Sequence, residues 1–163
     1  MAIRAIRHWP DQVLQQPAAR VGRIDDEVRR LAADMLETMY AAPGRGLAAP
    51  QVGVLRRIVV MDGGWKDGAP TPRVLVDPDI LWVDPARQSG EEACLSIPGV
   101  TATVSRAARV RVVWTDLDGQ ARDETLEGFE AICAQHEIDH LDGIVILDRA
   151  EAVVAVATDD APR

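Results

Sequence analysis

Aromatic side chains are scarce in this chain of 163 residues: one Phe, one Tyr and four Trp make up 4%. Hydrophobic residues still reach 47%, so the core must be built mainly from Val, Leu, Ile and Ala. There are only two cysteines, Cys94 and Cys133. That is too few for a disulfide framework and points to a reducing cytoplasm, where free thiols can serve as ligands. Cations are also short, with 18 Lys and Arg against 26 Asp and Glu and a formal charge of -8. A broad nucleic-acid footprint, which needs a basic face, is therefore not expected. No apolar run reaches the roughly 18 residues of a membrane span. Residues 1–10 scatter Arg4, Arg7 and His8 where a signal peptide would have an apolar stretch. No internal repeat or low-complexity tract occurs, and the length suits one domain over residues 1–163.

What is present is patterned. In residues 25–41, Val28, Leu31, Ala32, Met35, Leu36 and Met39 recur at helical spacing. Asp25 or Asp26 can cap that helix and Pro43-Gly44 ends it. Its methionines read as core filler. Residues 44–51 are too short and too glycine-rich for a helix. Strands are predicted at 57–61, 74–76 and 80–83, with an exposed loop at 62–72 and breaks at Pro78 and Pro85. Val110, Val112 and Trp114 alternate with Arg109 and Arg111, Asp118-Gly119 signals a hairpin turn, and residues 120–126 form the return strand. A helix over 127–141 follows, with Gly143 just past its end. A last strand is expected at 144–147 and a loose tail from about 148. This order argues for an α+β fold.

The chain has three histidines and spends two of them in His136-Glu137-Ile138-Asp139-His140. On a helix, that i, i+4 spacing stacks two imidazoles on one face, the bite of a divalent metal, with Glu137 turned toward its water. A third ligand is needed for an open catalytic site. The extended protease pattern asks for a histidine at 146, where Ile146 stands; His8 has no metal-site context, and Glu151 sits near the loose tail. Cys133 shares the helix face of His136, but at ~1.5 Å rise per residue it lies ~10 Å along the axis from His140. Cys133 is therefore assigned to packing or pocket lining. Cys94 is the better third ligand, the alternative being a buried structural thiol. A Cys-His-His set suits Zn²⁺, Fe²⁺, Co²⁺ or Ni²⁺ and disfavours Mg²⁺ or Ca²⁺. It leaves the ion a net positive charge and a corner for water, and Glu137 can carry that water's proton to a leaving nitrogen.

Three segments together resemble the signatures of the peptide deformylase family: residues 44–51 (Gly44-Arg45-Gly46-Leu47-Ala48-Ala49-Pro50-Gln51), Glu92-Ala93-Cys94-Leu95-Ser96 and residues 135–141. Pro10-Asp11 with Leu14 is also family-like, and the likeness runs from about residue 5 to 148. The resemblance implies antiparallel sheets packed around a central helix that carries the HExxH motif. It implies a hydrolase that removes the formyl group from N-formylmethionine at the start of nascent peptides and releases formate. It implies one divalent ion, typically Fe²⁺ and often replaced by Zn²⁺, Ni²⁺ or Co²⁺, on Cys94, His136 and His140. Glu137 would be the acid and base, while the Gln51 amide and the Leu95 backbone N–H would hold the oxyanion. The peptide would bind as an added strand at Gly46 and Ala93, with its methionine against Phe129, Ile132 and Cys133. Glu92 and Arg106 match a structural brace.

The chain also departs from the family pattern. Arg45 replaces an apolar residue beside the peptide, which predicts a preference for acidic peptides. Ala93 replaces a glycine, and Thr101 stands where many relatives have an arginine. The long basic C-terminal helix that anchors some relatives to the ribosome is not seen, so any ribosome encounter is expected to be transient. Two rival readings are an HExxH metallopeptidase, which leaves the Gly44 and Cys94 segments unexplained, and a catalytically silent metal-binding relative.

Overall fold

The methionine- and leucine-bearing stripe forms helix α1, Asp26–Ala41, in the computed structural model, which describes residues 2–155. Asp25 caps it by accepting the Val28 N–H at 2.9 Å. Val28, Leu31, Ala32, Met35 and Met39 are buried against β1 (Gly46–Ala48) and β2 (Ile58–Met61). The chain continues through β3 (Arg73–Val83), β4 (Arg87–Cys94), β5 (Ile97–Ala107), β6 (Arg109–Thr115) and β7 (Ala121–Glu127). Helix α2 (Gly128–Leu141), the short α3 (Ile146–Arg149) and β8 (Ala150–Ala155) complete it.

The strands make two antiparallel sheets, one ordered β1-β2-β3-β6-β7 and the other β4-β5-β8. Helix α2 packs against both. It is buried on nearly every side, and its polar residues, the two histidines and Glu137 among them, are spread around it rather than gathered opposite one apolar stripe. Gly143 ends this helix at φ 75°, where a Cβ would lie 2.7 Å from the Gln15 carbonyl oxygen, so only glycine fits. The N-terminal segment is laid across the sheets' meeting point: the Arg7 N–H donates to the Gln51 carbonyl and the Trp9 N–H to that of Ser96. Among the described residues no helix is long and apolar enough to cross a membrane.

Several local expectations need correction. The strands predicted at 74–76 and 80–83 are one strand, β3, with register shifts on either side of Asp79. Asp77 takes φ 50° there and its carboxylate accepts the N–H groups of Val21 and Gly22. This bulge sits where Pro78 can give no ladder donor, so the proline bends the strand without ending it. The loop at 62–72 is not wholly exposed. Asp62 is fully buried and accepts from the Tyr40 hydroxyl at 2.6 Å and from three backbone N–H groups. Residues 144–147 do not form a strand: Val145 N–H donates to the Asp148 carboxylate and starts α3. The loose tail expected from 148 is ordered through Ala155, because β8 pairs with β5; the tail's final residues lie outside the described part. Strand β5 itself escaped prediction, because Pro98, Gly99 and its threonines and serine hide the alternation.

Candidate metal centre and cleft

Helix α2 assigns a different task to each face. The i, i+4 pair His136 and His140 faces β4, their ring centroids 5.3 Å apart. Cys133 and Glu137, also i, i+4, face β1. Gln135 faces the end of β5, accepting from the Ala107 N–H at 3.2 Å and donating to the Ala107 carbonyl at 2.9 Å. Cys94 reaches the histidines from the last position of β4. There the register jumps from Ala93↔Thr101 to Cys94↔Ile97, a bulge that re-aims the side chain.

Cys94, His136 and His140 are the one His/Cys/Asp/Glu group of three or more, among the described residues, whose ligand atoms all lie within 4.8 Å of one another. The Cys94 sulfur is 3.4 Å from His140 Nε2, and all three residues are buried. His136 Nδ1 lies 2.9 Å from a Glu92 oxygen. Glu92 can only accept there, so Nδ1 carries the proton and Nε2 turns its lone pair to the ligand set. Arg106 holds Glu92 with two bonds of 2.6 and 2.9 Å and reaches Asp139 at 3.0 Å; Asp139 is in turn held by Arg149 at 2.9 Å. The brace therefore runs from the histidine to the surface. Its first pair, Glu92 and Arg106, was legible in the sequence. Asp139 and Arg149 were not, because only the turn after α2 brings residue 149 back beside 139.

The electrostatics fit a cation. Burial lowers the pKa of His140 well below its ordinary value, which keeps the ring neutral with a lone pair to give. Burial also works against charge on His136, yet Glu137, Cys94 and Glu92 outweigh it and raise its pKa well above normal. The cluster thus calls for a positive charge, which a divalent ion on the three ligands would supply. Burial pushes the Glu137 carboxyl up to about 7, against the pull of His136, and its Oε1 is buried without a hydrogen-bond partner. Two nitrogens and one sulfur are the donor set of a transition-type divalent ion, not of Mg²⁺ or Ca²⁺, and the unsatisfied carboxylate stands beside them.

These groups open on a cavity of about 460 Å³. Arg45, Gly46, Gln51, Ala93, Cys94, Leu95, Phe129, Ile132, Cys133, His136 and Glu137 all line it, while His140 sits behind them. Gln51 is fixed by two contacts: its oxygen accepts the Ala48 N–H at 2.9 Å and its Nε2 donates to Ser96 Oγ at 3.1 Å, which leaves that nitrogen 3.5 Å from the Cys94 sulfur. Ser96, the last residue of the second motif, is fully buried and orients the glutamine, a role that the motif alone does not reveal. At Gly46 a Cβ would lie 2.5 Å from Glu137 Oε2 and 2.6 Å from the Cys133 sulfur, so only glycine lets β1 approach α2 this closely. Ala93 is not among the residues of positive φ, so its methyl group leaves the backbone unstrained. Cys133 lies outside the ligand set, and burial raises its thiol well above normal. Thr101 is buried on β5 opposite Ala93, one strand back from the cleft. His8 is exposed and takes no part.

Comparison with known proteins agrees with this architecture. The family model described as polypeptide deformylase matches residues 3–155. A peptide deformylase of Alkalilimnicola ehrlichii is 51% identical over 148 residues, covering 91% of this chain and 82% of the relative. The crystal structure of peptide deformylase from Thermotoga maritima superposes with a TM-score of 0.87 at 38% identity, covering 93% of this chain and 100% of that one. A class I type b peptide deformylase from Acinetobacter baumannii, solved with Met-Ala-Ser bound, gives a TM-score of 0.85 at 31% identity, covering 91% and 98%.

Proposed function

The chain belongs to the polypeptide deformylase family, and from that premise we propose which of its residues remove the formyl group from N-formylmethionyl peptides. It is a metal-dependent hydrolase that releases formate. The observation that carries the assignment of roles is the convergence of Cys94, His136 and His140 within 4.8 Å at the floor of a cleft that Glu137 and Gln51 share.

The described residues act as one catalytic domain, and we take the whole chain to be that domain. Cys94, His136 and His140 would hold the ion; Fe²⁺ is the occupant we propose in the cell, with Zn²⁺, Ni²⁺ or Co²⁺ as replacements. When bound, such an ion supplies Lewis acidity that brings the pKa of a water toward ~7. The substrate enters as an extended strand between two sheet edges. β1 ends the five-stranded sheet, β4 ends the three-stranded one, and both line the cleft. Phe129, Ile132 and Cys133, on one face of α2, receive the methionine side chain. Gly46 and Ala93 meet the peptide backbone.

Glu137 takes a proton from the attacking water as oxygen adds to the formyl carbon. Gln51 Nε2 and the Leu95 backbone N–H donate to the oxygen on which negative charge develops. Glu137 then gives its proton to the amide nitrogen as the C–N bond breaks, leaving formate and a free amine. A carboxyl that burial poises near neutrality is suited to both transfers. We place this activity in the cytoplasm, where formylated nascent peptides and free thiols coexist, with the nascent peptide as the partner and at most a transient ribosome encounter.

The test is formate release from formyl-Met-Ala-Ser by metal-loaded protein. Formate with an intact Met-Ala-Ser product is expected. Cleavage inside the peptide would assign a peptidase instead, and a fully metallated protein that releases neither product would be a silent relative.

A further inference from the structure

Among the residues that line the cleft, Arg45 is the sole Lys or Arg. Its guanidinium lies 5.3 Å from the centre of the Phe129 ring, at the mouth of the methionine pocket. Its Nε is buried without a hydrogen-bond partner, and among the described residues no carboxylate stands within salt-bridge distance of it. A buried guanidinium nitrogen without an acceptor is costly, and no acceptor among the described residues offsets that cost.

The surrounding chain holds Arg45 in that pose. The Arg45 carbonyl accepts the Asp62 N–H at 2.9 Å. The carbonyl of the preceding residue, Gly44, accepts the Trp65 indole N–H, also at 2.9 Å. Trp65 packs edge-on against Tyr40, whose hydroxyl donates to Asp62. The Phe129 platform is held from the same side, since a Cβ at Gly63 would come within 3.0 Å of its ring. Loop 62–72 therefore fixes both the arginine and the ring beneath it.

We propose that Arg45 is a specificity-determining residue that selects formyl-methionyl peptides with a carboxylate side chain in the residues after methionine. Its planar fork matches a carboxylate, and its charge is permanent. Glu91, exposed on the opposite wall of the cleft, is the competing charge. Glu92 and Glu137 also line the cleft, but Glu92 is engaged by Arg106 and His136 and Glu137 faces the ligand set.

This inference rests on the deformylase reading, so the experiment separates the two. Metal-loaded protein is assayed on formyl-Met-Ala-Ser, on formyl-Met-Asp-Ala and formyl-Met-Ala-Asp, and on the two lysine counterparts. We expect kcat/KM to favour the better aspartate peptide over its lysine partner by about fivefold, the scale of a partly desolvated ion pair. Arg45→Ile should bring that ratio toward one, Arg45→Lys should keep part of it, and added salt should erode it. Equal rates in the unaltered protein, or an unchanged ratio in Arg45→Ile, would overturn the proposal. Faster turnover of the lysine peptides would overturn it in favour of Glu91. No formate from any peptide would strike at the deformylase reading itself and take this inference with it.

Discussion

The two ends of the cleft are built on different physics. At the floor, a relay of charges runs from the buried histidine outward: His136 is answered by Glu92, Glu92 by Arg106, Arg106 by Asp139 and Asp139 by Arg149, and Glu137 alone keeps a carboxylate oxygen without a partner. At the lip, Arg45 and Glu91 face the cavity without such partners, and Phe129 is 44% exposed. Such a relay has one low-energy arrangement, which is what a metal site requires, and it leaves the unpartnered carboxylate oxygen for the chemistry. A lip with unanswered charge is free to take its partner from the substrate. Chemistry is thus fixed at the floor, while selectivity is adjustable at the rim.

The hardest blow to the floor is Glu137→Gln. The amide keeps the shape but cannot carry the proton, so formate release should fall by about 10² to 10⁴. Metal content measured on the same preparation should stay unchanged, which separates lost chemistry from a lost ion. Activity within tenfold of the parent would remove Glu137 from the proposed role.

Next in size is Arg106→Met. It strands Glu92 as a buried carboxylate without its cation, while Asp139 keeps Arg149, a loss on the order of 3–5 kcal/mol in unfolding free energy. His136 also loses its anchored partner, so metal affinity should weaken by about 10- to 100-fold. The pH dependence has a definite sign. Burial alone would raise the Glu92 pKa, but His136 and Arg106 hold it below its ordinary 4.5. A depressed carboxyl adds stability above its unfolded pKa and loses it as pH falls through the folded one. The gap between parent and variant in urea unfolding should therefore be widest near neutral pH and narrow toward acid. A constant gap would mean that Arg106 acts by packing and not by charge.

The same contrast explains what could be read in advance. The floor was legible because its residues are local in sequence or chemically rare: a His pair four apart, and a cysteine in a chain with two. Helix α1 and the β6–β7 hairpin were legible because each buries one face at a clean period. Strand β5 and the fused β3 were not, because proline and polar residues interrupt a pattern that long-range pairing nevertheless satisfies. The support of the lip was invisible for a related reason. Trp65 reads as an exposed loop residue until the fold sets its indole 21 positions away in sequence, against Gly44.

That contact yields the smallest and most discriminating test. Trp65→Phe keeps a ring to pack beside Tyr40 but removes the N–H that the Gly44 carbonyl accepts. One net hydrogen bond is worth about 1 kcal/mol, so the unfolding midpoint should drop only slightly. Nothing at the floor is touched, so metal content and the pH profile of formate release should match the parent. The Gly44 carbonyl just before Arg45, however, loses its donor, and the ratio of turnover on aspartate and lysine peptides should decline by about twofold, the scale of a rim interaction partly misaligned. If the ratio holds while stability falls, the loop is a structural support with no share in selectivity. If metal content falls as well, floor and lip are mechanically coupled, and the division between fixed chemistry and adjustable selectivity is wrong.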